Sequence, residues 1–111
     1  MPGRRATGRP WLSRNELPEG ILFSGDFAAK AAMEVFAANG VKMPEQVAIV
    51  GFVNEPWDKY LDPPLSSVEQ FPYEIGKEAA RLMLKTINGD KPQKIVLDTE
   101  LVIRKSSMRN T

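Results

Sequence analysis

A chain of 111 residues and 12.4 kDa holds one small domain at most. Apolar residues make up 42% and charged residues 26%, which suits a folded core and argues against wholesale disorder. The 15 basic and 14 acidic residues leave a net charge of +1, so no general electrostatic pull toward nucleic acid or membrane is expected. There is no Cys and no His. Disulfides, thiolate metal sites, thiol nucleophiles, Ser-His-Asp catalysis and imidazole base chemistry are excluded within this chain. No apolar run approaches the ~20 residues needed to span a bilayer, and the first 20 residues lack the continuous apolar stretch of a secretory signal. The expectation is a soluble, cytoplasmic, non-enzymatic chain with no membrane partner, no metal and no cofactor.

Residues 1–19 stand apart. They hold Arg4, Arg5, Arg9 and Arg14 against Glu16 and Glu19, with three Pro and two Gly, whereas the remainder has 11 basic and 12 acidic residues. Ser13-Arg14-Asn15-Glu16 fits a capping box, with Leu12 and Leu17 placed as a hydrophobic staple, and Pro18 limits that helix to about one turn. The segment reads as a frayed or truncated start rather than a phosphate-gripping arm. Residues 20–107 form the domain, and 108–111 a tail.

Ile21-Leu22-Phe23 is a short run of strand formers closed by Ser24-Gly25. A helix over 27–39 follows, with Phe27, Ala31, Val35 and Ala38 as its apolar stripe, Lys30 and Glu34 paired off it, and Gly40 as its left-handed stop. Asp26 suits the cap of this helix. Residues 47–52, Val-Ala-Ile-Val-Gly-Phe, show little alternation and predict a strand buried on both faces, joined to the first through a right-handed βαβ crossover. Residues 53–65 read as a loop broken by Pro56, Pro63 and Pro64, and 65–70 as a third strand. Pro72 opens a second helix reaching about residue 88, stopped by Gly89. Its stripe is Phe71, Ile75, Ala79, Leu82 and Met83, widened by Leu84 and Ile87. A final extended segment over 94–104 is interrupted near Asp98-Thr99. The pattern is an α/β fold: a parallel sheet with flanking helices.

In open α/β sheets, ligands bind beyond the carboxyl ends of the strands. That rule selects Ser24, Gly25 and Asp26 after the first strand and Val53, Asn54 and Glu55 after the second, with Trp57 as a cover for an apolar ligand face and Gln70 reaching the same edge. Each has a plainer reading. Asp26 suits a helix cap, Asn54 and Glu55 suit a turn before Pro56, Trp57 suits packing or an interface, and Gln70 suits satisfying backbone near the helix start. Asp58 and Asp62, at i and i+4, read as a solvated loop rather than a cation site. Gly25 alone does not make a phosphate loop.

Several stretches carry a family signal. Ile21-Leu22-Phe23-Ser24-Gly25-Asp26 before an Ala-rich helix, then residues 39–52 (Asn-Gly-Val-Lys-Met-Pro-Glu-Gln-Val-Ala-Ile-Val-Gly-Phe), resemble the lactose-repressor (LacI/GalR) family of bacterial transcription regulators. Pro63-Pro64-Leu65-Ser66-Ser67-Val68-Glu69-Gln70 and residues 99–107 continue the likeness in the family's order and spacing. The resemblance covers 20–107 and implies the C-terminal portion of a two-lobed, periplasmic-binding-protein-like effector domain. It implies that 21–70 belong to the C-terminal lobe, that the helix from Pro72 packs on the other lobe, and that 94–104 return. It also implies a small polar ligand such as a sugar at Asn54, Gln70, Asp26, Glu55, Trp57 and Ser24. A homodimer contact is implied through Phe27, Lys30, Ala31 and Tyr60, with DNA engaged only through a headpiece that these residues do not include. The chain departs from the family at Val53, where relatives often have an acidic residue, at Gly25, where many have Asn, and at Lys30, where some have Leu. A solute-binding protein of transport shares the fold and is the alternative reading. A small enzyme would need an Asp, Glu, Lys or Ser constellation that the sequence does not assemble.

Overall fold

A computed structural model describes residues 17–109. The one-turn helix expected at 13–16 and the basic character of the first segment lie outside the described residues. Leu17 is inside them and packs, partly buried, against the core.

Strands β1 (Gly20–Leu22) and β2 (Ala48–Val50) pair in parallel, with Ile21 opposite Ile49. The parallel direction follows from the intervening helix α1 (Asp26–Ala38), which returns the chain to the starting edge of the sheet. The expected strand over 47–52 is shorter than its apolar run. Beyond Val50 the Gly51 amide donates to Ser66 O at 2.8 Å and the Phe52 amide donates to an Asp26 carboxylate oxygen at 2.7 Å. The backbone leaves the ladder because those donors are drawn elsewhere.

α1 begins after Gly25, which has no side chain to cap it, and ends at Asn39, with Gly40 in the left-handed conformation at φ 73°. Two expectations for this helix fail. Asp26 is its first residue rather than its cap, and its carboxylate serves a distant loop. The stripe Phe27, Ala31, Val35, Ala38 is not the buried one either. The buried face is Asp26, Ala29, Ala32, Met33 and Phe36, while Phe27 is 69% exposed. The facing that buries Ala29, Met33 and Phe36, at i+3, i+7 and i+10 from Asp26, also sets Asp26 against its donors. With Phe23, Val41, Val47, Ile49 and Leu65 they form the core, sandwiched between α1 and the β1–β2 pair.

β3 (Ser67–Glu69) lies beyond a parallel bridge between Val50 and Ser66 and pairs antiparallel with β4 (Glu100–Val102), Ser67 opposite Val102. The expected parallel sheet is thus present as the β1–β2 pair, and β3 and β4 form a second, antiparallel pair, because α2 (Pro72–Ile87) carries the chain outward and β4 brings it straight back. Pro72 occupies the first turn of α2, and Phe71 before it takes a left-handed φ of 55° held by its amide donating to Glu69 Oε2 at 2.9 Å. Gly89 (φ 99°) follows the helix as expected. No residue of α2 is buried. Ile95-Val96-Leu97 form no strand. They line, with Ile75, Ala79 and Leu82, an open groove beside the helix. Arg109, in the expected tail, donates to Pro44 O at 2.7 Å and to Glu19 O, tying the end of the described chain to the start of β1.

Candidate functional site

The parallel β1–β2 pair opens the loop after each strand onto one rim, and a single side chain joins them. Asp26, 1% exposed, accepts from the backbone N–H of Phe52 (2.7 Å) and Val53 (3.1 Å) through Oδ1 and of Glu55 (3.2 Å) through Oδ2. The Ser67 hydroxyl donates to Oδ2 at 2.9 Å, and its oxygen accepts the amides of Val53 (3.0 Å) and Asn54 (2.8 Å). Gly51 permits this closeness, since a Cβ there would overlap Asp26 Oδ1 and lie 2.7 Å from its Cγ. Burial would raise the Asp26 pKa. Hydrogen bonds from Asp58, from the Phe52 and Glu55 amides and from Ser67 outweigh it, holding the carboxyl below the usual range.

This clamp sets Asn54 in the left-handed conformation at φ 59°, a region Asn enters more readily than most residues. Its half-buried side chain spans two partners: Nδ2 donates to Glu69 Oε1 at 3.0 Å and Oδ1 accepts from Arg104 Nη2 at 2.9 Å. One N–H and one lone pair are left toward the rim. Arg104 also donates to Leu65 O at 2.7 Å, and its amide to Ser66 Oγ at 2.7 Å, so the segment leaving β4 is bound to the loop after β2. Gln70 Nε2 donates to Phe52 O, which sets Gln70 on the same rim. The Phe71 amide, with Asn54, holds Glu69 as a carboxylate below its ordinary pKa.

Among the residues picked out by sequence, Asp26, Asn54 and Gln70 are brought together by these bonds, Glu55 joins them through its backbone, and Ser24 sits exposed beside them. Trp57 goes elsewhere. Its ring lies 5.0 Å from that of Phe27 on the outer face of α1, with Lys30 Nζ 5.8 Å above it. It thus shares a surface with Phe27 and Lys30, and Tyr60, 78% exposed, projects from the short 3-10 turn that follows.

Residues missed by sequence reasoning are Ser67, Glu69, Arg104 and Asp58. Ser66 and Ser67 follow Pro64-Leu65 as small polar residues inside an apolar stretch, a pattern that often marks buried hydrogen bonding. Arg104 ends an apolar strand, and nothing nearby in sequence indicates its partner. Asp58 was read as part of a solvated loop, and the structure overturns this: it is 0% exposed, and neither carboxyl oxygen meets a donor from the protein. Burial, then the hydrogen bond to and charge of Asp26, push its pKa up to about 8 against the pull of the Arg104 charge.

A sequence profile described as a periplasmic binding protein-like domain matches residues 3–107. The transcriptional regulator CelR of Thermobifida fusca is 34% identical over 91% of this chain and 30% of its own length. The transcriptional repressor CytR of Escherichia coli K12 is 35% identical over 81% of this chain and 27% of its own. Among solved structures, a CelR–cellobiose complex superimposes with a TM-score of 0.82 at 34% identity, covering 89% of this chain and 31% of that one. The operator-bound Lac repressor dimer, at 22% identity and TM-score 0.83 over 90% of this chain and 35% of its own, shares the fold. The chain thus spans less than a third of the regulators it matches by sequence. With its parallel β1–α1–β2 unit and these matches, the chain belongs to the periplasmic binding protein-like domain family, as part of an effector-binding domain of the kind found in LacI-type regulators.

Proposed function

We propose that this chain supplies one wall of an effector cleft in a LacI-type transcription regulator, and that the rim formed by Ser24, Asn54, Glu55 and Gln70 binds a small polar ligand, a sugar. Asp26 serves that rim from beneath. The observation that carries this reading is the clamp of Asp26 and Ser67 on residues 52–55, which presents Asn54 in a left-handed backbone with one donor and one acceptor still free. Strained, over-determined backbone at the end of a strand is typical of ligand sites. The likeness to a regulator crystallised with cellobiose supports a carbohydrate, and the regulator names of the relatives favour this reading over solute transport and over catalysis. The function therefore lies in binding. Ligand between two lobes favours one lobe arrangement, and a DNA-binding headpiece elsewhere in such a regulator responds to that shift.

The exposed surface of Phe27, Lys30, Ala31 and Tyr60 serves a homodimer in this reading, and Trp57, its ring tilted against that of Phe27, belongs with it rather than with the sugar. Calorimetric titration of the intact protein with a panel of mono- and disaccharides tests the site. Asn54→Ala and Gln70→Ala are expected to weaken the best ligand about tenfold or more, the size of one lost hydrogen bond to a desolvated group. Wild-type affinity in both variants would remove the ligand from this rim.

A further inference from the structure

The site proposed above uses Asp26 and leaves Asp58 unexplained. Asp58 is wholly buried, its two oxygens meet no protein donor, and the carboxylate it faces already receives backbone N–H groups from residues 52, 53 and 55. A buried carboxylate beside another carboxylate is unfavourable, whereas a buried carboxylic acid beside one is a donor to it. Its main chain is equally tied: the Asp58 amide donates to Glu55 O at 3.0 Å, and its carbonyl accepts from Leu65 at 2.9 Å and from Leu61 at 3.3 Å. Asp58 thus bridges the rim loop and the chain that enters β3.

We infer that Asp58 is a proton-bearing positioning residue: as a neutral acid it donates to Asp26, and this shared proton locks the rim loop over 52–55 in its binding shape. The charged groups acting on the pair are Asp26 from the start of α1 and the Arg104 guanidinium from beyond β4, and the Glu55 amide also faces it from the loop. Loss of the proton sets two anions together beneath the loop, opposed by the Arg104 charge and the Glu55 amide. The loop must then loosen or admit water. The locking role stands on the geometry of the loop, and its consequence for ligand affinity rests on the proposed function above.

The sign of the pH effect follows from linkage. Asp58 binds its proton more tightly folded than unfolded, so rising pH costs stability from the unfolded carboxyl range up to about 8, at most about tenfold in the folding equilibrium per pH unit. Asp26 has the opposite sense and acts only as pH falls below the unfolded carboxyl range, so the two windows do not overlap.

Carboxyl-carbon NMR titration of the wild-type chain, together with amide exchange at Phe52, Val53 and Glu55, tests the inference without any variant. One carboxyl should titrate near 8, and protection of those amides should fall by at most about tenfold per pH unit between the ordinary carboxyl range and that midpoint, then level off above it. Asp58→Asn, which keeps a donor but cannot ionise, should keep the amides protected and flatten the pH dependence. Asp58→Ala, which leaves Asp26 without that donor, should lose protection already at neutral pH. Titration of Asp58 in the ordinary carboxylate range would overturn the inference, as would Asp58→Asn loosening the loop as much as Asp58→Ala. A sugar that fails to bind while this titration holds would count against the proposed function alone.

Discussion

Both helices of this chain are amphipathic by sequence, and they meet opposite circumstances. α1 buries Ala29, Ala32, Met33 and Phe36 against β1 and β2, whereas α2 leaves Ile75, Met83, Leu84 and Ile87 between 44% and 69% exposed. The difference does not lie in helix-forming ability. α2 has a proline in its first turn, a left-handed glycine beyond its end and ion pairs such as Arg81–Glu78 at 2.7 Å. Such pairs contribute a few tenths of a kcal/mol each on a solvated face. What separates the two is a neighbour. The crossover that makes β1 and β2 parallel lays α1 on the sheet, while α2 leaves from one strand of an antiparallel pair and returns to the other without a sheet face beneath it. The molecule is accordingly extended, 58 Å along its longest axis with a radius of gyration of 18.3 Å, against about 13 Å for a compact domain of 100 residues. An apolar face of that kind calls for a covering surface.

Substitutions on the two sides of the molecule sharpen this contrast. The largest effect is expected at Phe36, 0% exposed at the centre of the core. Phe36→Ala should cost about 3–5 kcal/mol in urea unfolding followed by circular dichroism, enough to abolish a cooperative transition in so small a chain. Next comes Gly51→Ala, whose new methyl must displace Asp26 or Ser67. A loss of about 1–3 kcal/mol is expected, with amide exchange at Phe52 and Val53 rising selectively. The smallest is Met83→Ala on α2, 62% exposed, which should stay within about 0.5 kcal/mol of wild type by the same unfolding measurement. Comparable losses at Phe36 and Met83 would mean that α2 is packed in solution, and the comparison of the two helices would fail.

Much of the fold was legible in the sequence because local signals agreed with the tertiary outcome. The run Ile21-Leu22-Phe23, the stretch around Ile49, Pro72 at a helix start, and the glycines at 40 and 89 each mark an element by its own stereochemistry. The rim was legible in part. A topological rule that points to strand ends placed Asn54 and Gln70 on one rim, and the parallel pairing of β1 and β2 satisfies that rule. The facing of α1 was not legible. Phe27 and Ala31 make as good an apolar stripe as Ala29 and Met33, and only tertiary packing chose between them. Asp58 was misread for a related reason: within a loop rich in proline and charge, nothing local distinguishes an acid that faces water from one that faces Asp26.

The sequence by itself determined the succession of strand, helix, strand, outgoing helix and returning strand, since periodicity, proline and glycine act over a few residues. Tertiary structure alone decided what the polar side chains do. Asp26, Asn54, Asp58, Ser67 and Arg104 come from segments far apart in the chain. Their hydrogen bonds and shared proton exist only once packing has excluded water from around them, because only there does an unpartnered donor or charge cost enough to dictate its own surroundings.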